Sequence, residues 1–185
     1  MIETNRLILR HCTFEDINDL FYLLSDAEVN TFLPWFTIDS IDETIKHYQT
    51  HILDQPYFFA ICLKNTNRLI GYIKMSIDDS HDFGYALCKE YWHQGITTEA
   101  GIALISHLKQ IGISYITATH DINNPNSGKV MQKIGMHYCY SYQEHWQPKN
   151  KLVTFRMYQL NLDNDDSRIY DKYRKKYPSF IENII

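Results

Sequence analysis

The hydrophobic period changes twice between residues 83 and 120, and that change constrains the chain more than any other feature. "FGYALC" (83–88) reads as a strand. Ala100, Ile102, Ala103, Ile105 and Leu108 then recur at helical spacing up to Gly112, and "YITATH" (115–120) reads as a strand again. Two strands joined by one helix lie parallel in a sheet, with a right-handed connection. This unit places the chain in the α/β class.

The flanking segments extend it. "RLILRHC" (6–12) reads as a strand, and Thr13 with Asp16 forms a capping box that opens a helix with a stripe of Leu20, Leu23 and Leu24. The aromatic loop "TFLPWF" leads to a second capping pair, Ser40 and Glu43. A helix follows to about residue 53, with Ile41, Ile45, Tyr48 and Ile52 on one side. "YFFAICL" (57–63), "LIGYIKMSI" (69–77) and residues 83–88 read as an antiparallel meander. "NSGKVMQKI" (126–134) is a short helix closed by Gly135, and "MHYCYSYQEHW" and "VTFRMYQLNL" are two further strands. Residues 1–162 make one domain, and a chain of this size buries roughly 70% of its unfolded surface. Residues 163–185 differ in composition, rich in Asp, Lys and Arg with Tyr170, Tyr173 and Tyr177 at helical spacing. They read as a partly helical appendage that packs on the domain or a neighbouring subunit, with disorder as the rival reading.

A net charge of -4 argues against a nucleic-acid partner. Glu3, Arg6 and Arg10 interrupt the first apolar stretch, and no run approaches the ~18 apolar residues of a membrane span, so the expected location is cytoplasmic. Cys12, Cys62, Cys88 and Cys139 stand far apart with no paired spacing. They read as buried apolar residues rather than disulfides or metal ligands, and no metal is expected.

"YWHQGITTEAG" (91–101) holds the junction between strand and helix. A helix entered directly from a strand exposes unpaired N–H groups at its first turn, where its dipole favours negative charge. Gly95 would let a phosphate reach the main chain, and Thr97 and Thr98 add hydroxyl donors; the plainer reading is a tight turn with Thr97 as cap. Neither a dinucleotide fingerprint nor a Walker loop is present. "NNPNSGKVMQKIGM" (123–136) brings an Asn and a Ser to the end of the next strand, near the same helix mouth.

"YWHQGITTEA" followed by "NPNSGKVMQKIGM", with "ETNRLILR" before and "DFGYAL" between, resembles the GNAT superfamily of acyl-CoA N-acyltransferases. The nearest branch is that of the ribosomal-protein N-terminal acetyltransferases, and the likeness runs from residue 3 to about 160. It implies a mixed, mostly antiparallel sheet with helices on both faces and a central parallel strand pair that splays apart to hold acetyl-CoA. By the same resemblance, backbone groups of Leu87, Cys88 and Lys89 pair with the pantetheine arm, the loop His93, Gln94, Gly95, Ile96, Thr97 and Thr98 cradles the diphosphate, and Asn124 contacts the pantetheine. Trp92 stands at the motif's first place as in the ribosomal branch, whereas His93 replaces a common Gly and Thr97 a Gly or Ala. Met131 stands where many members carry an acidic Tyr, which leaves Ser127 to protonate the departing sulfur.

The implied reaction is acetyl transfer to a primary amine, a protein N-terminus or a small molecule, by direct attack in a ternary complex. A catalytically silent GNAT-fold domain that binds acyl-CoA or serves interaction is the alternative. An α-amino group, with a pKa near ~8, needs less help to lose its proton than a Lys amine near ~10.4. A backbone N–H near Leu87 or Cys88 is expected to stabilise the oxyanion. Alternation places Tyr138, Tyr140, Tyr142, Glu144 and Trp146 on one strand face. The ribosomal branch carries its proposed catalytic Glu at the position matching Trp146, so the resemblance makes Glu144, on the same face, the expected base, with Asp82 and His145 as further candidates and Glu99 assigned to the helix end. By the resemblance, Phe32 to Phe36 sit where the family builds its acceptor wall, and a lid over the core is the equal alternative. A monomer or a homodimer fits equally.

Overall fold

The structure is a computed structural model that describes residues 1–183. Its first half is a five-stranded antiparallel sheet in the order β1 (Ile2–Glu3), β2 (Leu7–Arg10), β3 (Phe58–Leu63), β4 (Leu69–Met75), β5 (Phe83–Leu87). Three helices separate β2 from β3: α1 (Ile17–Ser25), α2 (Ala27–Asn30) and α3 (Ile41–His51). The entry to α1 is fixed by the Thr13 N–H, which donates to the Asp16 carboxylate at 2.8 Å, and α3 by Ser40 Oγ, which accepts from the Glu43 N–H at 3.2 Å. Leu20, Leu23 and Leu24 are buried as their spacing predicts. The buried face of α3 is centred on Thr44 and Tyr48, while Ile41, in its first turn, is exposed.

The second half begins with α4 (Ile96–Gln110), followed by β6 (Tyr115–Asp121), α5 (Pro125–Lys133), β7 (His137–Trp146) and β8 (Lys151–Asn161), and ends with α6 (Lys172–Lys176) and β9 (Ser179–Phe180). Its strands form a separate antiparallel sheet in the order β6-β8-β7-β9. The parallel relation between β5 and β6 is reduced to one bridge, Asp82 to Thr117, where the Thr117 N–H donates to the His81 carbonyl at 3.2 Å. Beyond that point the two strands belong to different sheets and diverge.

Both sheets pack one face against α4 and α5, through Leu9, Ile73, Leu104, Ile116 and Met131 among others. The first sheet's other face lies under α1 and α3, where Phe58, Ala60, Cys62 and Tyr72 meet Leu20, Leu24 and Tyr48. Burial pushes the thiols of Cys12 and Cys88 up to about 12 and that of Cys62 to about 11, as apolar fillers require.

Two findings revise the reading of the C-terminal strands. A register shift between Tyr138 and Tyr140 breaks the alternation, so Tyr138 faces the α4/α5 core beside Tyr158, while Tyr140 and Tyr142 pack on the opposite face with Phe155 and Met157. The segment after residue 162 then covers that opposite face: Tyr142 is stacked between Tyr173 at 5.1 Å and Tyr177 at 5.5 Å. Glu182 pairs with Arg156, and β9 adds to the edge of β7. Residues 184 and 185 of the expected appendage lie outside the described residues.

Candidate active site

A strand turns successive backbone groups to opposite edges. The Cys88 N–H donates to Ile70 of β4 at 2.9 Å, so the backbone groups of Tyr85 and Leu87 point the other way, into the gap left by β6. The Leu87 carbonyl accepts from the Trp92 indole N–H at 2.7 Å, which folds the following loop back over the strand end and leaves the Leu87 N–H facing the gap. Of the three residues whose backbone is expected to pair with the pantetheine arm, Leu87 is the one whose N–H faces the gap. Cys88 is committed to β4 through its N–H and to Tyr91 through its carbonyl, and the Lys89 carbonyl accepts from the Trp92 N–H at 3.1 Å, while its ammonium pairs with Glu28 at 2.9 Å and Asp26 at 3.6 Å.

The gap leads to the first turn of α4. Its cap is Gly95 at φ 74°, a left-handed conformation that an L side chain adopts at a cost, and His93 just before it has φ 60°. A Cβ built on Gly95 would meet nothing nearer than Arg6 at 3.7 Å. Backbone conformation, rather than crowding, therefore demands glycine here. The first intrahelical bond runs from the Glu99 N–H to the Gly95 carbonyl at 3.0 Å, and no side chain caps the helix. The N–H groups of Ile96, Thr97 and Thr98 have no intrahelical acceptor, and these residues line the groove together with His93. Gln94 turns aside: its side chain donates to the Glu90 carbonyl and its own carbonyl accepts from Arg6.

Glu99 would oppose an anion at this helix end if its charge were free. Burial alone would raise its pKa, but the Thr4 hydroxyl at 2.6 Å and the Arg6 main chain and guanidinium at 2.9 and 2.7 Å hold it below the usual carboxylate range. Its charge is thus spent on tying β1 and β2 to α4.

Across the gap, α5 begins at Asn124, whose side-chain carbonyl accepts from the Ser127 N–H at 3.4 Å. The Tyr85 phenol lies 2.9 Å from both the hydroxyl and the carbonyl of Ser127, joining β5 to α5 over the groove. Sequence reasoning missed Tyr85. Its signal was present, because Tyr85 and Leu87 share an edge and a face of β5, but a partner 42 residues away is not local information.

On the far side the gap opens into a chamber between the face of the first sheet that carries Tyr72 and the face of the second that carries Tyr142. Groove and chamber together enclose about 610 Å³. Phe32, Leu33, Pro34 and Trp35 form one wall, as expected of that loop, whereas Phe36 is exposed. Thr119, Trp146 and Phe155 form the opposite wall. Asp82 stands at the floor with the Lys74 ammonium 4.0 Å away. A third of the Asp82 side chain remains accessible, yet protein crowds the carboxyl, and this burial raises its pKa above the usual range, with Lys74 opposing and Asp78 reinforcing the shift.

Glu144 is not brought to this chamber. It is half-buried beside Tyr177 and Lys176 of the C-terminal segment; burial raises its pKa while those two neighbours lower it. His145 is exposed.

A family model described as the acetyltransferase (GNAT) domain matches residues 6–137, more than half of the chain. The chain belongs to the GNAT acetyltransferase family. With it, the chain joins the acyl-CoA-dependent N-acyltransferases. It is 28% identical over 144 residues to the uncharacterized N-acetyltransferase YoaA of Bacillus subtilis, covering 73% of this chain and 81% of the relative. Among solved structures, a GNAT-family acetyltransferase from Bacillus anthracis superposes with a TM-score of 0.78 at 22% identity, over 88% of this chain and 99% of the other. RimL, a ribosomal-protein alpha-N acetyltransferase solved in complex with coenzyme A, gives a TM-score of 0.75 at 22% identity, over 88% and 97%. Among the described residues, no helix is long and apolar enough to cross a membrane.

Proposed function

We propose that this GNAT protein transfers the acetyl group of acetyl-CoA to a primary amine by direct attack in a ternary complex, with Asp82 taking the amine proton. The observation that carries this reading is the gap between β5 and β6. It joins an uncapped helix end at Gly95 to a chamber holding a carboxyl with no hydrogen-bonded partner.

The free N–H groups of Ile96, Thr97 and Thr98 hold the diphosphate, and the Thr97 hydroxyl adds a donor where a smaller residue is usual. The amide of Asn124 and the outward backbone of Leu87 hold the pantetheine arm, as an added strand would be held. The Leu87 N–H faces the charge that develops on the thioester oxygen; because Cys88 donates to β4, Leu87 is the donor of choice. Ser127, held 2.9 Å from the Tyr85 phenol, supplies a proton to the departing sulfur.

Asp82 is preferred to Glu144 as base because it lines the chamber and Glu144 does not; burial raises its pKa, which makes it a stronger base than an ordinary carboxylate. The alternative of a silent acyl-CoA-binding domain requires coenzyme binding without turnover, and the pairing of Tyr85 with Ser127 favours turnover. The test has two steps. Calorimetric titration with acetyl-CoA measures binding, and release of free thiol on adding amines measures transfer; binding without thiol release from any amine would establish the silent alternative.

A further inference from the structure

Lys74 has no role in the mechanism above, and its setting is unusual. Its ammonium reaches the chamber, yet among the described residues it makes no direct hydrogen bond; the nearest carboxylate oxygen, that of Asp82, is 4.0 Å away, beyond bonding range. The Asp82 carboxylate likewise accepts no hydrogen bond from the described residues. Two opposite charges stand side by side on one chamber face, close enough to attract but not paired.

Their placement follows from the strands. Lys74 of β4 is directly opposite Gly84 of β5, and a Cβ at Gly84 would come within 3.2 Å of Lys74 Cε. With glycine there, the Lys74 stem lies across β5 and carries the ammonium toward Asp82. A ligand with an amine and an anion on neighbouring atoms completes both groups at once: the amine meets Asp82 and the anion meets Lys74. The chamber walls beside them are aromatic, formed by Trp35, Tyr72, Trp146 and Phe155. They suit an apolar side chain on the same carbon.

We propose that the acceptor is a free α-amino acid with an apolar or aromatic side chain, its amine held by Asp82 and its carboxylate by Lys74. The inference rests on the transferase reading above. The neutral amine attacks the thioester carbonyl carbon with its lone pair, forming the C–N bond as the C–S bond breaks. The proton lost from nitrogen passes to Asp82, the sulfur takes its electron pair and a proton from Ser127, Asp82 gives its proton to solvent as Ser127 takes one back, and the products are an N-acetyl amino acid and the free thiol. A polyamine would set a second ammonium against Lys74. A peptide N-terminus offers a neutral carbonyl in place of the carboxylate, the weaker acceptor.

The experiment compares thiol release from acetyl-CoA with L-phenylalanine, L-phenylalaninamide, phenethylamine and spermidine. Phenylalanine is expected to exceed the amide and phenethylamine in kcat/KM by about tenfold or more, the effect of one charge-assisted hydrogen bond. In Lys74→Met the ratio of phenylalanine to phenethylamine falls by about the same factor, and Lys74→Arg retains most of it. Equal or better use of the amide or of spermidine by the native protein, or an unchanged ratio in Lys74→Met, would overturn the acceptor assignment and leave acetyl transfer standing. Thiol release from none of the four, with acetyl-CoA still bound, would overturn both. The native panel decides the question even if Lys74→Met does not fold.

Discussion

The two arms of the groove are built from different materials. The proposed coenzyme arm consists mostly of main chain, the edge of β5 and the first turn of α4 within about a dozen consecutive residues, with the Thr97 hydroxyl and the Asn124 amide added to it. The proposed acceptor arm consists of side chains: Trp35, Lys74, Asp82, Thr119 and Trp146 come from five separate elements or loops, and apart from Lys74 and Asp82 no two lie close in sequence. A main-chain site is set by helix and strand geometry and tolerates varied side chains. A side-chain site changes identity with each substitution. One arm therefore carries what a family shares, and the other what distinguishes a member.

The contrast is broken most severely at Asp82. Asp82→Asn is expected to lower turnover by about 10²–10⁴-fold, while acetyl-CoA affinity by calorimetry stays within about twofold, since the change touches only the acceptor arm. Gly95→Val tests the other arm: a β-branched residue at φ 74° costs about 1–2 kcal/mol, so acetyl-CoA affinity should fall roughly tenfold. Acceptor preference should survive, and loss of preference would mean that the arms are not separable. Tyr85→Phe and Ser127→Ala should each lower turnover by about tenfold, and because they share one hydrogen bond the double variant should lose less than the product.

Smaller effects follow from pH. Asp82 works only when ionised, and its raised pKa means that kcat/KM is lost as pH falls through a value above the ordinary Asp figure of ~3.9. Lys74 opposes that rise, so Lys74→Met should move the acidic limb to still higher pH. Glu144→Gln should alter turnover by less than about twofold and leave the limb in place. A flattened limb in Glu144→Gln, with Asp82→Asn unaffected, would exchange the two roles.

The features assigned to the proposed coenzyme arm were read from local signals: a change of period, a lone glycine, two threonines and an Asn three residues before a Ser. The details that escaped are those of edge and partner. Alternation alone does not say which residue of a strand end faces the gap, and the Cys88 bond to Ile70 decided in favour of Leu87. Glu144 was drawn toward the site by an alternation that also held Tyr138, and the shift at Tyr138/Tyr140 showed that this face is not continuous. More decisively, Tyr177 and Lys176 occupy the space beside Glu144, and the docking of the C-terminal segment on β7 is a contact across more than thirty residues.

The residues alone determined the order of the main strands and helices and the capped entries of α1 and α3, because each depends on hydrogen bonds and packing that repeat within a few positions; β1, α2 and β9, the cap of α5 and the absence of a side-chain cap on α4 came from the structure. The tertiary structure decided that β5 and β6 part after a single bridge, that Tyr85 reaches Ser127, and that Lys74 and Asp82 share one chamber wall. These depend on which sheet each strand joins and how the sheets diverge. That choice is made by the burial of whole faces, and no short stretch of sequence contains it.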